Sequence, residues 1–120
     1  MSSETRPPRA KPQRRSRRSP TDRLRDALLR LADHHGQIVS HRETPWASIT
    51  FAGSRHVVAI LFSGSEAVEA GERFIAALPE HEFAIPGQLV ADASVAEVDH
   101  RLVPSPRLAV RCELLLLEDA

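Results

Sequence analysis

The chain has 120 residues, an apolar fraction of 42%, one cysteine and a formal net charge of zero. This length accommodates one compact domain, and a single cysteine excludes both an intramolecular disulfide and a zinc site built from several thiolates. No run approaches the roughly 18 apolar residues of a membrane span, and no apolar secretory stretch follows the N-terminus, so we expect a cytoplasmic protein.

The zero net charge results from two segments of opposite sign. Residues 1–19 carry seven basic residues and one acid, whereas residues 20–120 carry nine arginines and fifteen acids. The first segment is rich in arginine, proline and serine and cannot bury enough apolar surface to offset the entropy of ordering. We therefore predict a disordered basic arm over residues 1–19 and one folded domain over residues 20–120. The basic residues of the arm are Arg6, Arg9, Lys11, Arg14, Arg15, Arg17 and Arg18.

Clustered guanidinium groups bind phosphates and carboxylates, so the arm predicts non-specific contact with nucleic acid, an acidic protein surface or anionic lipid. It contains no aromatic residue for base stacking, and any nucleic-acid binding should therefore be sensitive to salt and independent of sequence. Two alternatives are a tail that only improves solubility and an arm that folds back on the acidic domain.

The first predicted helix begins at Ser19-Pro20, because a hydroxyl N-cap followed by proline is typical of a helix start. We expect it to end at Gly36. From residue 37 the apolar period changes to two, which is typical of strands. We expect a short strand over 37–42, a break at Thr44-Pro45, and strands over 46–52 and 55–62 joined by a type II′ turn. This register puts six residues on the core face: Ala47, Ile49, Phe51, His56, Val58 and Ile60.

Ser63 and Glu66 have the spacing of a capping box, which predicts the start of a second helix that Pro79 ends. An extended segment over 88–103, with a bulge near Asp92, precedes a reversal at the next prolines and a last strand over 107–118. The core set of this strand comprises Leu108, Val110, Cys112, Leu114 and Leu116. The element order α-β-β-β-α-β-β predicts an α+β two-layer sandwich, in which two helices cover one face of a mainly antiparallel sheet of four to five strands.

The sequence contains no glycine-rich phosphate loop, nucleophile elbow or paired Cys-x-x-Cys motif, and we predict no cofactor and no metal. His34, His35 and His41 are close in sequence, but adjacent residues on a helix diverge by about 100° and cannot share one ion. His81, which lies between two glutamates, and His100 are candidate general bases for a small enzyme. A solvated loop histidine and a core histidine are the respective alternatives.

Four apolar residues outside the predicted core are candidate interface residues, since exposed apolar clusters and tryptophan mark contact surfaces. They are Trp46, Leu61, Leu115 and Leu117.

Four stretches of the chain, 45–48, 51–56, 77–83 and 86–93, resemble a family of small alphaproteobacterial proteins of no known activity, found in sphingomonads especially. The resemblance covers most of residues 40–118 and not the arm. It implies a bacterial cytoplasmic source and transfers no catalytic residue.

Three hypotheses follow for function. The first is a non-enzymatic binding or accessory protein whose arm contacts nucleic acid or an acidic partner. The second is a self-associating structural domain with a solubilising tail. The third is a small enzyme that uses His81 or His100.

Overall fold

The computed structural model describes residues 19–119. The predicted α+β class is confirmed: two helices cover one face of a four-stranded antiparallel sheet with the strand order β1-β2-β4-β3. The elements are α1 (Pro20–Leu31), β1 (Gly36–Ala47), β2 (Ala52–Ser63), α2 (Ser65–Ala77), a 3-10 turn (Leu78–Glu80), β3 (Gln88–Arg101) and β4 (Arg107–Glu118).

The start of α1 is as predicted, because Ser19 Oγ accepts a hydrogen bond of 3.1 Å from the backbone N–H of Asp22. The helix ends at Leu31, five residues before the predicted stop at Gly36. Asp33 and His34 adopt left-handed backbone conformations with φ values of 55° and 59°, which polar residues tolerate best after glycine. Gly36 therefore begins β1 instead of ending the helix.

The first hairpin differs from the prediction. Residues 36–47 form one strand that passes through Thr44-Pro45, and the turn lies at Ser48–Phe51 instead of Gly53-Ser54. Ser48 closes this turn, since its N–H donates to the carbonyl of Phe51 (2.8 Å) and its Oγ accepts from the N–H of Phe51 (3.1 Å). The predicted separate strand over 46–52 is therefore wrong.

The position of β1 at the sheet edge explains why proline does not break the strand. An edge strand has one row of N–H groups without ladder partners, and a residue in that row loses no hydrogen bond on substitution by proline. The new register pairs Ala47 with Ala52 and moves Ile49 and Phe51 out of the core, where they were predicted, into solvent.

The two central strands, β2 and β4, supply the sheet side of the core. Every second residue is buried beneath the helices from His56 to Phe62 in β2 and from Leu108 to Leu116 in β4, as the alternation predicted. This buried row comprises His56, Val58, Ile60, Phe62, Leu108, Val110, Cys112, Leu114 and Leu116. The helices add Leu24, Leu28, Val68 and Phe74 from above. We call the opposite surface of the sheet the helix-free face, since neither helix within residues 19–119 packs on it.

The second helix starts differently from the prediction. Gly64, with φ of 96°, is the N-cap and offers no side-chain hydrogen bond, while Ser63 is the last residue of β2. The backbone N–H of Gly64 donates to the carbonyl of Pro106 (2.9 Å). The predicted Ser63–Glu66 capping box is thus wrong.

The predicted irregularity near Asp92 is confirmed. The pairing of β3 with β4 shifts register between Val90 and Asp92 and again between Val95 and Glu97. The pairing of β1 with β2 also shifts between Ile38 and Ser40. Both edge strands of the sheet therefore contain bulges, whereas the pairing of β2 with β4 is regular.

Candidate functional site

A chain of hydrogen-bonded polar side chains joins α1 to the first hairpin beneath the helices. Arg25 Nη1 lies 3.3 Å from His41 Nδ1, and His41 Nε2 lies 2.8 Å from His56 Nδ1. His56 Nε2 then lies 2.8 Å from Ser54 Oγ. We call these four residues the histidine relay.

The local fold places each member of the relay. The register pairs His41 with Val58 and Glu43 with His56, so both histidines face α1 from neighbouring strands. Arg25 lies on α1, one residue after the buried Leu24, and its side chain reaches the edge strand β1. His56 is 1% exposed and is the one buried polar residue among those described.

The arginine sets the direction of every hydrogen bond in the relay. A guanidinium group only donates, so His41 Nδ1 accepts and, in the neutral ring, the proton resides on His41 Nε2. That N–H donates to His56 Nδ1, which leaves the second proton on His56 Nε2 facing Ser54 Oγ. These proton positions follow from the donor and acceptor pattern.

Burial favours the neutral form of both rings. It is the main cause that lowers the pKa of His41, and the nearby His56 and Arg25 lower that pKa further. Burial also lowers the pKa of His56. The negative charge of Glu43 acts in the opposite direction and raises the pKa of both rings. Glu43 Oε1 accepts a hydrogen bond of 2.8 Å from Thr21 Oγ1.

A cleft of about 450 Å³ opens beside the relay, between the N-terminus of α1 and the first hairpin. Ser54 and His56 form part of its wall, and Glu43 and Glu118 bring two carboxylates to it. Two carboxylates suit a basic group. The remaining lining residues are Pro20, Thr21, Pro45, Gly53 and Gln88.

The distance between Ser54 Oγ and His56 Nε2 resembles that in a catalytic serine–histidine pair, but the hydrogen bond between them runs in the opposite direction. A histidine that activates a serine must accept the hydroxyl proton, whereas His56 Nε2 already donates to Ser54. This geometry supports a structural role, in which the relay is a buried polar connection between α1 and the sheet. It satisfies the polar atoms of His56, which would otherwise cost about 1–3 kcal/mol in the core.

Sequence reasoning missed the relay because the predicted hairpin register was wrong. His41 was grouped with His34 and His35 and assigned to a separate strand, while His56 was expected on the core face. His34 and His35 follow α1 at the exposed far end of the sheet, and within residues 19–119 no group of three or more potential ligands could hold a metal ion. One signal could have indicated the relay: His41 and Glu43 lie two residues apart, and so on one face of a strand, next to an apolar strand.

The two candidate general bases lie elsewhere. His81 is exposed in the loop after α2, where its ring meets the edge of Phe83 at a centroid distance of 4.6 Å. His100 points to the helix side at the end of β3, yet it is exposed because neither helix reaches that far. The alternative of a core histidine at this position is therefore wrong, and neither ring lines the cleft beside the relay.

Cys112 is buried, as predicted. Burial raises the pKa of its thiol to about 12, so the reactive thiolate is suppressed. Its Sγ lies 3.5 Å from the carbonyl oxygen of Val58.

The four candidate interface residues all lie on the helix-free face. Trp46, Gly53, Leu117 and Leu89 form one row across the four strands, and Leu115 lies two residues along β4. Leu61 is eight residues further along β2, which corresponds to about 26 Å. Leu117 is buried, with 8% of its surface exposed, whereas Trp46, Leu61 and Leu115 are partly exposed.

The basic residues of the arm lie outside the described residues. Neither helix within residues 19–119 has the length and apolar content needed to cross a bilayer.

No protein-family profile and no curated protein matches the chain. Among solved structures, the fold is similar to a chain of the virion of a native gene transfer agent particle. The TM-score is 0.53 at 13% sequence identity, and the alignment covers 82% of this chain and 92% of that chain. This likeness shows a shared fold. The resemblance to small alphaproteobacterial proteins stays a prediction.

The proton direction in the relay can be measured by long-range ¹H–¹⁵N correlation NMR. At about pH 7.5 we expect His41 and His56 as neutral Nε2–H tautomers, because Arg25 can only donate. Arg25→Met removes that donor and should let His41 populate both tautomers, whereas Arg23→Met on the same helix should change neither ring. A His56 ring protonated on Nδ1 would contradict the assignment and make Ser54 a candidate nucleophile.

Stability should fall as the pH is lowered toward 6. The folded state keeps both relay histidines neutral, while the unfolded chain takes up protons near pH 6.5, so protons favour unfolding. The free energy of unfolding should therefore be highest above about pH 7 and decline below it, with a slope of at most about 1.4 kcal/mol per pH unit for each ring. Urea titrations at a series of pH values measure this slope.

Two variants isolate the relay in that experiment. His41→Gln/His56→Gln removes both titrating rings and should flatten the pH dependence in this range, whatever its effect on absolute stability. Ser54→Ala removes one hydrogen bond, about 1 kcal/mol, and should keep the wild-type slope. A double variant that retains the full slope would assign it to other groups.

Proposed function

We propose that this protein is a structural subunit that self-associates within a multi-subunit protein assembly. The observation that carries the proposal is the position of its exposed apolar side chains, which gather at the two ends of the sheet. The fold likeness to a chain of a gene transfer agent virion supports a role in a particle. No catalytic arrangement in the described domain competes with this function.

Scattered apolar residues on a surface are normal, whereas clustered ones mark contact sites. At one end of the sheet, Ile49 is fully exposed at the tip of the first hairpin, with Phe51 and Leu89 beside it. At the opposite end, Leu102 and Val103 are exposed at the tip of the second hairpin. Each of these side chains keeps at least half of its surface in contact with water, so its burial contributes little to the stability of the monomer.

The helix-free face connects the two ends. On this face β2 carries the partly buried Val57, Ala59 and Leu61, while the charged pair Arg111–Glu97, at 2.6 Å, joins β4 to β3. A mixed apolar and charged surface of this kind is compatible with a non-obligate protein interface. The predicted interface residues Trp46 and Leu115 belong to this surface.

Sedimentation velocity across about 10 µM to 500 µM tests the proposal. We expect the mass to rise with concentration above that of one chain. Ile49→Glu/Leu102→Glu adds a charge to each exposed tip and should give monomers, because an interface core excludes unpaired charges. Ala76→Glu, an exposed position on α2, is the matched control and should associate like the wild type. A wild-type chain that stays monomeric throughout would refute self-association.

The composition of the arm favours a second, additional role. Seven basic residues over residues 1–19 would allow a subunit to contact nucleic acid or an acidic partner while the domain associates with its neighbours. This contact depends on charge alone, since the arm carries no aromatic side chain. The cytoplasmic location predicted from the sequence is part of this proposal.

Deletion of residues 1–18 tests the arm and keeps the Ser19 cap of α1. We expect the deletion to abolish salt-dependent binding to generic duplex DNA, measured by fluorescence anisotropy between about 50 mM and 200 mM salt. The control variant Arg14→Lys/Arg15→Lys/Arg17→Lys/Arg18→Lys preserves the charge of the arm and should retain DNA binding. Equal affinity with and without the arm would exclude it as the contact.

A further inference from the structure

We infer that copies of this chain associate head to tail: the tip of the second hairpin of one copy enters a groove beside the first hairpin of the next. The inference rests on the self-association proposed above and names the two surfaces that meet. The second hairpin tip is the segment 102–106, between β3 and β4, and we call it the knob.

The groove lies on the helix-free side at the end of the sheet that carries the first hairpin. It has a volume of about 580 Å³, and its floor is formed by Phe51, Leu89 and Leu117. Asp119 stands at its margin together with Glu118, which also lines the cleft beside the relay, and neither has an ion-pair partner within residues 19–119. The groove therefore suits an apolar group flanked by positive charge. Thr50 and Ala52 complete the lining.

The knob has this composition. Leu102 is 68% exposed and Val103 is 78% exposed, so two apolar side chains project at the tip. Arg101 and Arg107 flank them, facing each other across the hairpin. Arg107 has no ion-pair partner among the described residues, and Arg101 pairs with the exposed Asp99 at 3.4 Å.

The two surfaces of one molecule cannot meet each other. They lie at opposite ends of β4, which runs from Arg107 at the knob to Glu118 at the groove, about 35 Å along an extended strand. The knob must therefore enter the groove of another copy.

Charge disfavours contacts between like surfaces. Two grooves placed together would bring four carboxylates into contact, and two knobs would bring four arginines together, and each contact is repulsive. When the knob lies in the groove, Arg101 and Arg107 pair with Glu118 and Asp119 around an apolar centre. Between chains that run in the same direction, this contact leaves one knob and one groove open on every pair, so it repeats, whereas a wild type that stops at two chains would indicate a closed antiparallel pair and overturn the repeating arrangement.

Two variants that each disable one surface test the arrangement. Phe51→Glu puts a charge in the groove and leaves the knob intact, whereas Val103→Glu does the reverse. Ala76→Glu on α2 is the control for the added charge. Far-UV circular dichroism and thermal melts establish that all three fold, and Phe51→Ser and Val103→Ser replace any that does not.

Sedimentation velocity gives the result for each variant alone and for an equimolar mixture. We expect each variant alone to be monomeric, with association weakened at least about tenfold, and the mixture to form pairs that stop at two chains. The intact knob of Phe51→Glu then occupies the intact groove of Val103→Glu. Wild type and Ala76→Glu should continue to larger species.

The charge contribution has its own test. Arg107→Glu and Glu118→Arg should each weaken association, and the chain that carries both should recover it, because the pair is reversed but complementary.

The outcomes separate this inference from the proposed function. A wild-type chain that associates while either single-surface variant associates equally well overturns head-to-tail contact and leaves self-association standing. Monomeric variants whose mixture forms no pairs also overturn it, since a symmetric contact behaves in that way. A monomeric wild type overturns both.

Discussion

The fold depends on the regular pairing of β2 with β4 at the centre of the sheet. This ladder has no register shift, and one residue of slip would move the buried set of one strand, four side chains of β2 or five of β4, to the helix-free face. Each buried side chain of this size contributes about 1.5–3 kcal/mol, which is offset by conformational entropy. The position of both helices, and of both projecting hairpins, follows from this register, because each hairpin adds an edge strand to one of the two central strands.

The histidine relay is the polar exception in this apolar layer. His56 occupies a core position between Ser54 and Val58, where a leucine would pack without hydrogen bonds. The arrangement is tolerated because Arg25, His41 and Ser54 satisfy every ring nitrogen, and it fixes α1 above the first hairpin at one defined place. Under the proposed self-association, a hairpin fixed in this way would lose less entropy when a neighbouring copy binds.

The parts of the fold that depend on local signals could be predicted from the sequence. The Ser19 cap, the alternation of β4 and the bulge near Asp92 each involve residues that are neighbours in the chain. The position of the first hairpin turn could not be predicted from the sequence, because Thr44-Pro45 ends a strand in most proteins. Here the strand continues through it only because β1 lies at the sheet edge, and the edge position is a property of the whole sheet. The error in register then hid the contact between His41 and His56, and with it the relay. The apolar ends were recognised at Leu115 and Leu117, while Leu102 and Val103 were assigned to the extended segment 88–103 and in the structure lie beyond the end of β3 at Arg101.

The bulges in both edge strands have a consequence for how copies of this protein can grow into an assembly. A further strand joins a sheet readily when the exposed edge is straight and its free amides and carbonyls are evenly spaced. Here the irregularities at Val39, Ala91 and Ala96, together with Pro45, interrupt that spacing on both sides. Lateral fusion into a continuous, amyloid-like ribbon is thereby discouraged, and under the proposed self-association further chains would add in the direction parallel to the strands, with the backbone hydrogen bonds of each chain kept within its own sheet.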